Sequence, residues 1–265
     1  MPSSSFPAID SLVIERPAPD IACLKLNRPK RKNALDRQLV RGVGDALKLL
    51  GNDESVRVII LKGAGGAFCA GADLTSISGK NDVPIGDRID EFHRMIEGVV
   101  STSKPVIAQI EGPAVGFGAD LALSCDMRIF DTSGYIEEGF VKIGLMPDGG
   151  GTLWMPKFIG SRAFEFLALG SRLSAQQCAD WGIANQVVEV GTLEEETMKI
   201  AQRLASMAPL ALRAIKESLR AADRSSLSET LAREKLGQTR LIASEDFQEG
   251  VAAFLEKRAP RFAGK

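Results

Sequence analysis

The sequence is poor in the residues that build metal and redox centres. It has a single histidine, His93, and four cysteines that lie far apart, Cys23, Cys69, Cys125 and Cys178. No CxxC pair occurs, and one histidine cannot complete a zinc site by itself. We therefore expect no metal site, and reduced thiols of the kind found in cytoplasmic proteins.

Neither an excess of one charge nor a long apolar run is present. The 33 lysines and arginines balance 34 acidic residues, for a net charge of −1, which gives no overall attraction to nucleic acid or to an anionic membrane. No run approaches the roughly 18 apolar residues of a membrane span. The N-terminal residues MPSSSFPAID lack the basic and apolar regions of an export signal. The expectation is a cytoplasmic protein without nucleic-acid or membrane partners.

Hydrophobic periodicity predicts an α/β core. Residues Leu12–Arg16 and Ile21–Leu26 alternate as a hairpin of two strands, and the apolar residues of 36–50 recur at helical spacing. Val56–Lys62 and Pro105–Ile110 are nearly continuous apolar runs, typical of strands buried on both faces. Three further segments complete the pattern: a helix around 89–100, a short strand at 127–130 and a glycine-rich loop at 144–152. We place the core at residues 1–190.

The remaining residues, 191–265, are predicted to be helical. Capping boxes at Ser174, Thr192 and Ser226 mark helix starts, and Pro209 interrupts the helical pattern. Two helices are predicted within 226–257, with more apolar residues than a lone helix pair buries: Leu227, Leu231, Leu236, Leu241, Phe247, Val251 and Phe254. This surplus indicates contacts between subunits.

Both long apolar strands lead into glycine-rich turns, at residues 63–74 and 111–120. Small residues allow a backbone to approach a ligand, and two such turns on neighbouring strands can direct two N–H groups at one oxygen that becomes negative during a reaction. The alternative is that the glycines only permit tight strand-to-helix turns. Neither turn has the dinucleotide pattern G-x-G-x-x-G with its acidic residue, and no P-loop GK[ST] occurs.

Several motifs in the same order and spacing make the chain resemble the crotonase family of enoyl-CoA hydratases and isomerases. They are LNRP at 26–29, KNAL at 32–35, AFCAGADL at 67–74, KPVIA at 104–108, GPAVGFG at 112–118, SCD at 124–126 and GLMPDGGGT at 144–152. The resemblance implies an α/β fold with a ββα-spiral core and a helical C-terminal region that forms trimers or dimers of trimers. It also implies an acyl-coenzyme A thioester as substrate, with no separate cofactor.

Binding residues follow from the same resemblance. The backbone N–H groups of Ala72 and Phe117 are expected to form the oxyanion hole, and the bulky side chain of Phe117 departs from the family pattern. Contacts with the acyl-CoA are expected from Ala70, Ala72, Asp73, Leu74, Lys30 and Arg31. Two alternatives stay open: a solvated loop for the basic residues, and stabilisation of a helix start for Asp73.

The acid and base residues decide the reaction. A hydratase of this family uses two glutamates, and these positions correspond to Asp120 and, counting back from Pro147, to Phe140. Phenylalanine cannot transfer a proton, so hydration requires Glu137 or Glu138 to reach in from a shifted loop. Asp148 occupies the position used by relatives that move double bonds, and the sequence looks most like the isomerases of phenylacetate breakdown. We therefore predict Asp148 and Asp120 as catalytic residues.

Several alternatives remain at this point. Asp120 is also suited to capping a helix, and Asp148 to forming a turn. His93 is expected to be structural or on the surface, and Cys69 is expected to be an unreactive thiol because its surroundings are apolar. A hydratase and a non-catalytic acyl-CoA-binding protein are the competing functions. RNA binding lacks support, since no basic stripe with aromatic residues occurs.

Overall fold

The computed structural model describes residues 9–77, 84–222 and 227–265. The strands, in chain order, are β1 (Leu12–Ala18), β2 (Ile21–Leu26), β3 (Val58–Gly63), β4 (Val106–Ile110), β5 (Pro113–Val115), β6 (Met127–Asp131), β7 (Tyr135–Glu137), β8 (Arg172–Ser174) and β9 (Gln186–Val188). The helices are α1 (Arg37–Asn52), α2 (Leu74–Ile77), α3 (Ile85–Ser101), α4 (Phe117–Ser124), α5 (Gly151–Ile159), α6 (Arg162–Leu169), α7 (Ala175–Asp180), α8 (Leu193–Ala205), α9 (Pro209–Ala222), α10 (Leu227–Ile242) and α11 (Glu245–Glu256).

Six strands form a mainly parallel sheet in the order β1-β2-β3-β4-β6-β9. Only β1 and β2 pair antiparallel, as the predicted hairpin, and β3 and β4 are parallel neighbours with Ile60 opposite Ile107. A second sheet, β5-β7-β8, begins within the second glycine-rich turn, since β5 comprises Pro113–Val115. Because β3 and β4 are adjacent, the turns that follow them lie side by side at one edge of the main sheet.

Each face of the main sheet has its own apolar core. Side chains such as Leu24, Leu61 and Ala108 pack on one face with α1 and α3. The neighbouring residues Cys23 and Ile60 point to the other face, where α8 covers them. Helices on both faces explain why β2, β3 and β4 are nearly continuous apolar runs. The predicted boundary at residue 190 stays a prediction, and α8, just beyond it, completes the second core.

Helix starts follow the predicted capping chemistry at some positions and not at others. The predicted Ser174 capping box is present in full. Asp36, which was not among the predicted caps, caps α1 by accepting a hydrogen bond from Leu39 N at 2.9 Å. The prediction for Thr192 is wrong, because its hydroxyl donates to the Glu189 carbonyl at 2.9 Å and leaves the helix start without a side-chain cap. Ser226 lies outside the described residues.

The helical C-terminal region is interrupted at Pro209 as predicted: α8 ends at Ala205 and α9 begins at Pro209. Helix α9 is fixed to the core by Lys216, whose Nζ donates to Asp126 Oδ2 at 2.7 Å and to the Lys104 carbonyl at 2.9 Å. Among the predicted surplus of apolar residues, Leu231, Leu236, Phe247 and Val251 are exposed, whereas the side chains of Leu227 and Phe254 lie outside the described part. Across the ranges that the structure describes, none of the helices combines the length and apolar character needed to cross a bilayer.

Candidate active site

The two glycine-rich turns touch each other. Cys69 N donates to the Pro113 carbonyl, and Val115 N donates to the Cys69 carbonyl, both at 2.9 Å. Gly71 has a φ of 88°, and a methyl group on it would lie 2.7 Å from the Val115 carbonyl oxygen and 3.5 Å from Phe117 N. Glycine is therefore required at position 71 both by backbone conformation and by this close approach.

The backbone directions fit the predicted pair of N–H donors. Leu35 N donates to the Gly71 carbonyl, and Asp73 N donates to the Leu35 carbonyl, so the N–H of Ala72 between them points away from Leu35. Phe117 is the first residue of α4, where an N–H has no partner within the helix. Their role as an oxyanion hole stays a prediction that this arrangement supports.

Aromatic rings line the region beside Phe117. Its side chain is 2% exposed and meets Phe92 edge to face, with ring centroids 4.6 Å apart. A methyl group on Gly116 would lie 3.8 Å from the ring of Phe140. The bulky residue at position 117 therefore packs into the apolar core, and its backbone N–H stays at the start of the helix.

Asp148 lies on the exposed loop between the 3-10 helix at Gly139–Ile143 and α5. Desolvation raises the pKa of its carboxyl above the usual value, and the positive charge of His93 acts in the opposite direction. His93 Nε2 lies 2.8 Å from the Asp148 carbonyl oxygen. The histidine expected to be structural or on the surface thus contacts the loop that carries the predicted base.

Asp120 is fully buried beneath that loop. Its Oδ2 accepts a hydrogen bond from Gly149 N at 2.8 Å. Asp120 lies in the first turn of α4, as the helix-start alternative expected, but the N-cap position is Gly116 and no side chain caps the helix. Burial is the largest cause that raises the pKa of Asp120, to about 7. A direct part for Asp120 in proton transfer stays a prediction. Asp120 has no exposed surface, and its contact with the Asp148 loop is the hydrogen bond from Gly149 N.

Glu138 is a second buried carboxyl, in contact with Asp120. It is 1% exposed, and burial, followed by the neighbouring charge of Asp120, holds the pKa of Glu138 well above its usual value. Glu137 points the other way and pairs with Lys142 at 2.7 Å and with Arg172 at 2.9 Å. Of the two glutamates considered in the sequence, Glu138 is the one buried against Asp120.

Cys69 belongs to the first turn but is not a nucleophile in this environment. Burial raises the pKa of its thiol to about 12, as its apolar surroundings predicted. Its sulfur instead accepts a hydrogen bond from Gly71 N at 3.4 Å and helps to hold the turn.

The predicted acyl-CoA contacts lie around the same turn. Lys30 and Arg31 are exposed on a 3-10 helix, Ala70 and Ala72 are half-buried, and Leu74 is exposed. The carboxylate of Asp73 pairs with Arg28 at 2.9 Å and accepts from Thr75 at the start of α2, as the helix-start alternative proposed. Their contact with a substrate remains a prediction.

The comparisons with known proteins cover nearly the whole chain. The family model described as Enoyl-CoA hydratase/isomerase matches residues 18–265. The chain belongs to the enoyl-CoA hydratase/isomerase family. It is similar to a 1,2-epoxyphenylacetyl-CoA isomerase from Escherichia coli, with 36% identity over 92% of this chain and 95% of that protein. A carnitinyl-CoA dehydratase from Proteus mirabilis shares 36% identity over 91% and 94% of the two chains.

A solved structure of an enoyl-CoA hydratase from Bacillus anthracis superposes with a TM-score of 0.93 and 35% identity, over 96% of this chain and 100% of that one. The predicted crotonase-like α/β fold and the assignment as an acyl-CoA enzyme are thereby confirmed. Hydratase and isomerase names both occur among the relatives of this enoyl-CoA hydratase/isomerase family member, so the comparisons leave the reaction open.

Two buried polar residues near the turns, Asn33 and Glu138, were not among the predicted site residues. The side chain of Asn33 is buried, accepts from Arg28 N at 2.9 Å and donates to the Ala64 and Ala67 carbonyls. It thereby ties the basic loop to the first glycine-rich turn. Glu138 could have been found from alternation, since Ile136, Glu138 and Phe140 are buried while Tyr135 and Glu137 are not.

Proposed function

We propose that this enzyme moves a carbon–carbon double bond of an acyl-CoA thioester by proton transfer, with Asp148 as the base. The observation that carries the proposal is the placement of four carboxyls. Asp120 and Glu138 are buried, Glu137 is held in ion pairs, and Asp148 is exposed. Phe140 occupies the position that corresponds to the second glutamate of a hydratase and cannot transfer a proton.

The chemistry needs one base and one oxyanion site. The Asp148 carboxylate takes a proton from a carbon of the acyl chain, and the C–H electron pair moves into a dienolate whose negative oxygen faces the N–H groups of Ala72 and Phe117. One such donor lowers the barrier by roughly 3–4 kcal/mol in typical acyl chemistry. The protonated Asp148 then returns its proton to a carbon two positions away. Atoms and charge balance without water and without a cofactor.

The relatives support this class of reaction. One protein with 36% identity is named 1,2-epoxyphenylacetyl-CoA isomerase, and another at the same identity is named enoyl-CoA isomerase/hydratase. We infer an unsaturated acyl-CoA as the substrate class. The aromatic side chains of Phe92, Phe117 and Phe140 make the neighbourhood of the thioester apolar.

The test follows 2-enoyl-thioester absorbance after addition of 3-enoyl-CoA in deuterated water. We expect the chromophore to form without hydration, with activity lost in Asp148→Asn and largely kept in Asp120→Asn. Asp120→Asn is the matched control, because the amide oxygen of the new side chain can still accept the hydrogen bond from Gly149 N. Activity that survives Asp148→Asn and disappears in Asp120→Asn would show that Asp148 is not the base.

Hydration is the second candidate, favoured by the contact between Asp120 and Glu138. These are two adjacent carboxyls, the type of pair that adds water to a 2-enoyl thioester. The pair must first become accessible, because neither side chain is more than 1% exposed. Loss of the 2-enoyl absorbance, with incorporation of one labelled oxygen from water, would establish this reaction.

Assembly and location complete the proposal. The exposed apolar side chains of α10 and α11, among them Leu236 and Phe247, support a homotrimer or a dimer of trimers as the working form. Lys30 and Arg31 are proposed to contact the phosphates of coenzyme A. The four free cysteines are all buried, which suits a reducing cytoplasm, the proposed compartment.

A further inference from the structure

Three buried carboxylate oxygens beneath the Asp148 loop have no hydrogen-bond donor. They are Asp120 Oδ1 and both oxygens of Glu138. A methyl group on Gly151 would lie 2.5 Å from Asp120 Oδ1 and 3.0 Å from Glu138 Oε1, so both carboxyls are directed at the same point. The backbone of α5 begins at that point.

Two ionised carboxylates cannot remain in contact in such a place. The Glu138 carboxylate would be buried without a donor, and Asp120 would have only backbone N–H groups, those of Gly149 and Gly151, to stabilise its charge. Their like charges would repel in a medium that screens poorly. One proton between them removes one charge and supplies the missing hydrogen bond. A buried carboxyl pair then titrates as a unit, with its protons lost in two separate steps.

The pair is attached to the loop that carries the proposed base. Asp120 Oδ2 accepts from Gly149 N at 2.8 Å, one residue after Asp148. A methyl group on Gly149 would lie 2.6 Å from Asp120 Cβ, so the loop backbone lies directly on the side chain. Removing or moving the Asp120 carboxyl therefore moves Asp148.

We propose that Asp120 and Glu138 share one proton, and that Glu138 is a positioning residue that acts through Asp120 to hold the Asp148 loop in place. The inference rests on the proposed function only for the role of Asp148. Glu138 has 1% of its surface exposed and is not placed in contact with substrate.

The charged groups facing the pair are few in the described chain. Asp148 acts on both members, and His93 lies beyond it, against the Asp148 carbonyl. Glu137, the last residue of β7, faces away from the pair and forms ion pairs with Lys142 and Arg172. None of these groups is a cation that contacts Asp120 or Glu138. A shared proton is therefore the group that can offset the repulsion between the two carboxyls.

The first experiment detects the proton itself. Infrared spectra of the whole enzyme at neutral pH, with and without 13C-labelled glutamate and aspartate, are expected to show the C=O band of a protonated carboxylic acid. The band should disappear in Glu138→Gln and persist in Glu137→Gln, the matched control on the outward side of the strand. A wild-type spectrum without the band, or a band that persists in Glu138→Gln, would overturn the shared proton.

The second experiment tests positioning through the pH dependence of kcat and KM. Glu138→Gln keeps a donor for Asp120 and cannot ionise, so near neutral pH it should retain more of the wild-type kcat than Glu138→Ala does. The alkaline limb of the kcat–pH profile should lie at higher pH for Glu138→Gln than for wild type. Wild type loses the shared proton at alkaline pH, whereas the glutamine has no proton to lose. Glu138→Ala should lower kcat with little change in KM.

The outcomes separate the two proposals. If Asp148→Asn leaves double-bond migration intact, the proposed function fails, but the infrared band and its loss in Glu138→Gln are unaffected. If the alkaline limbs of wild type and Glu138→Gln coincide while the infrared result holds, Glu138 has a structural role only and the positioning proposal is wrong.

Discussion

His93 Nε2 on α3 lies 2.8 Å from the main-chain carbonyl oxygen of Asp148. The ring N–H is the donor in this contact, which links a long core helix to an exposed loop. With Asp120 accepting from Gly149 N on the other side, the residue pair 148–149 is held from two directions. A base on a loop needs such restraint, since a displacement of about 1 Å costs on the order of 100-fold in rate.

Replacing His93 by alanine is expected to lower kcat about fivefold, because one hydrogen bond of about 1 kcal/mol that fixes the loop is lost. The acid limb of the pH profile should also move to higher pH. The charge of His93 lowers the pKa of Asp148, so without it Asp148 is protonated at a higher pH. Arg94→Ala, an exposed neighbour on α3, is the control and should leave the profile unchanged.

Alanine at Gly71 should damage the site far more than alanine at Gly66. Both glycines have positive φ, 88° and 77°, but only at position 71 does a methyl group meet the backbone, 2.7 Å from the Val115 carbonyl. Moving the Ala72 N–H should reduce kcat by roughly 10- to 100-fold. Equal rates in the two variants would show that the contact between the turns does not set the rate.

Lys216→Met should destabilise the protein by about 3 kcal/mol, as expected for breaking a buried ion pair. Lys216 is 8% exposed and bonds both Asp126 and two main-chain carbonyls that face α9. Urea unfolding measures the change. Arg213→Ala on the same helix removes an exposed pair with Glu217 and should have no measurable effect.

Stability is expected to fall as the pH rises from about 5 to 8. The pKa of Asp120 is raised to about 7 and that of Glu138 well above its usual value. Both carboxyls therefore bind protons in the folded chain that the unfolded chain has already released above about pH 4. Each such proton costs about 1.4 kcal/mol of stability per pH unit. The stabilisation from these protons is fully present below the pKa values of the unfolded chain. It is lost as the pH rises through the pKa values of the folded chain.

Glu138→Gln should flatten this slope, because one of the two groups no longer titrates. Denaturant unfolding at several pH values measures it. Glu91 provides a contrast, since its hydrogen bond with Arg37 lowers the pKa to about 2, which places its contribution at acidic pH. A Glu138→Gln slope equal to that of wild type would contradict the assignment.

Periodicity predicted the regular elements well because burial on two faces determines them. The predicted strand Pro105–Ile110 is observed as Val106–Ile110, and the predicted hairpin is present. Local capping was less predictable. Thr192 has the right neighbours for a cap, but its backbone has a ψ of −6°, outside the extended region that a capping residue adopts.

The acid–base pair could be only half predicted. Asp120 followed from the family motif, while its burial depends on the loop that folds over it. For the second carboxyl the sequence left two candidates, Glu137 and Glu138, and in the structure Glu138 is the buried one. Which of two successive glutamates enters the site depends on the direction of β7, a property of the sheet and not of residue type.

Because side chains alternate along residues 135–140, the site is sensitive to the insertion or deletion of a single residue there. Along 135–140 every second side chain is buried, with Glu138 inward and Glu137 outward between Lys142 and Arg172. Deleting one residue between Gly134 and Glu137 would shift the register and exchange the two surfaces. Glu138 would then lie on the exposed side near Lys142 and Arg172, and Glu137 would enter the space below the Asp148 loop. Two identical neighbours in the sequence are therefore not interchangeable in the fold.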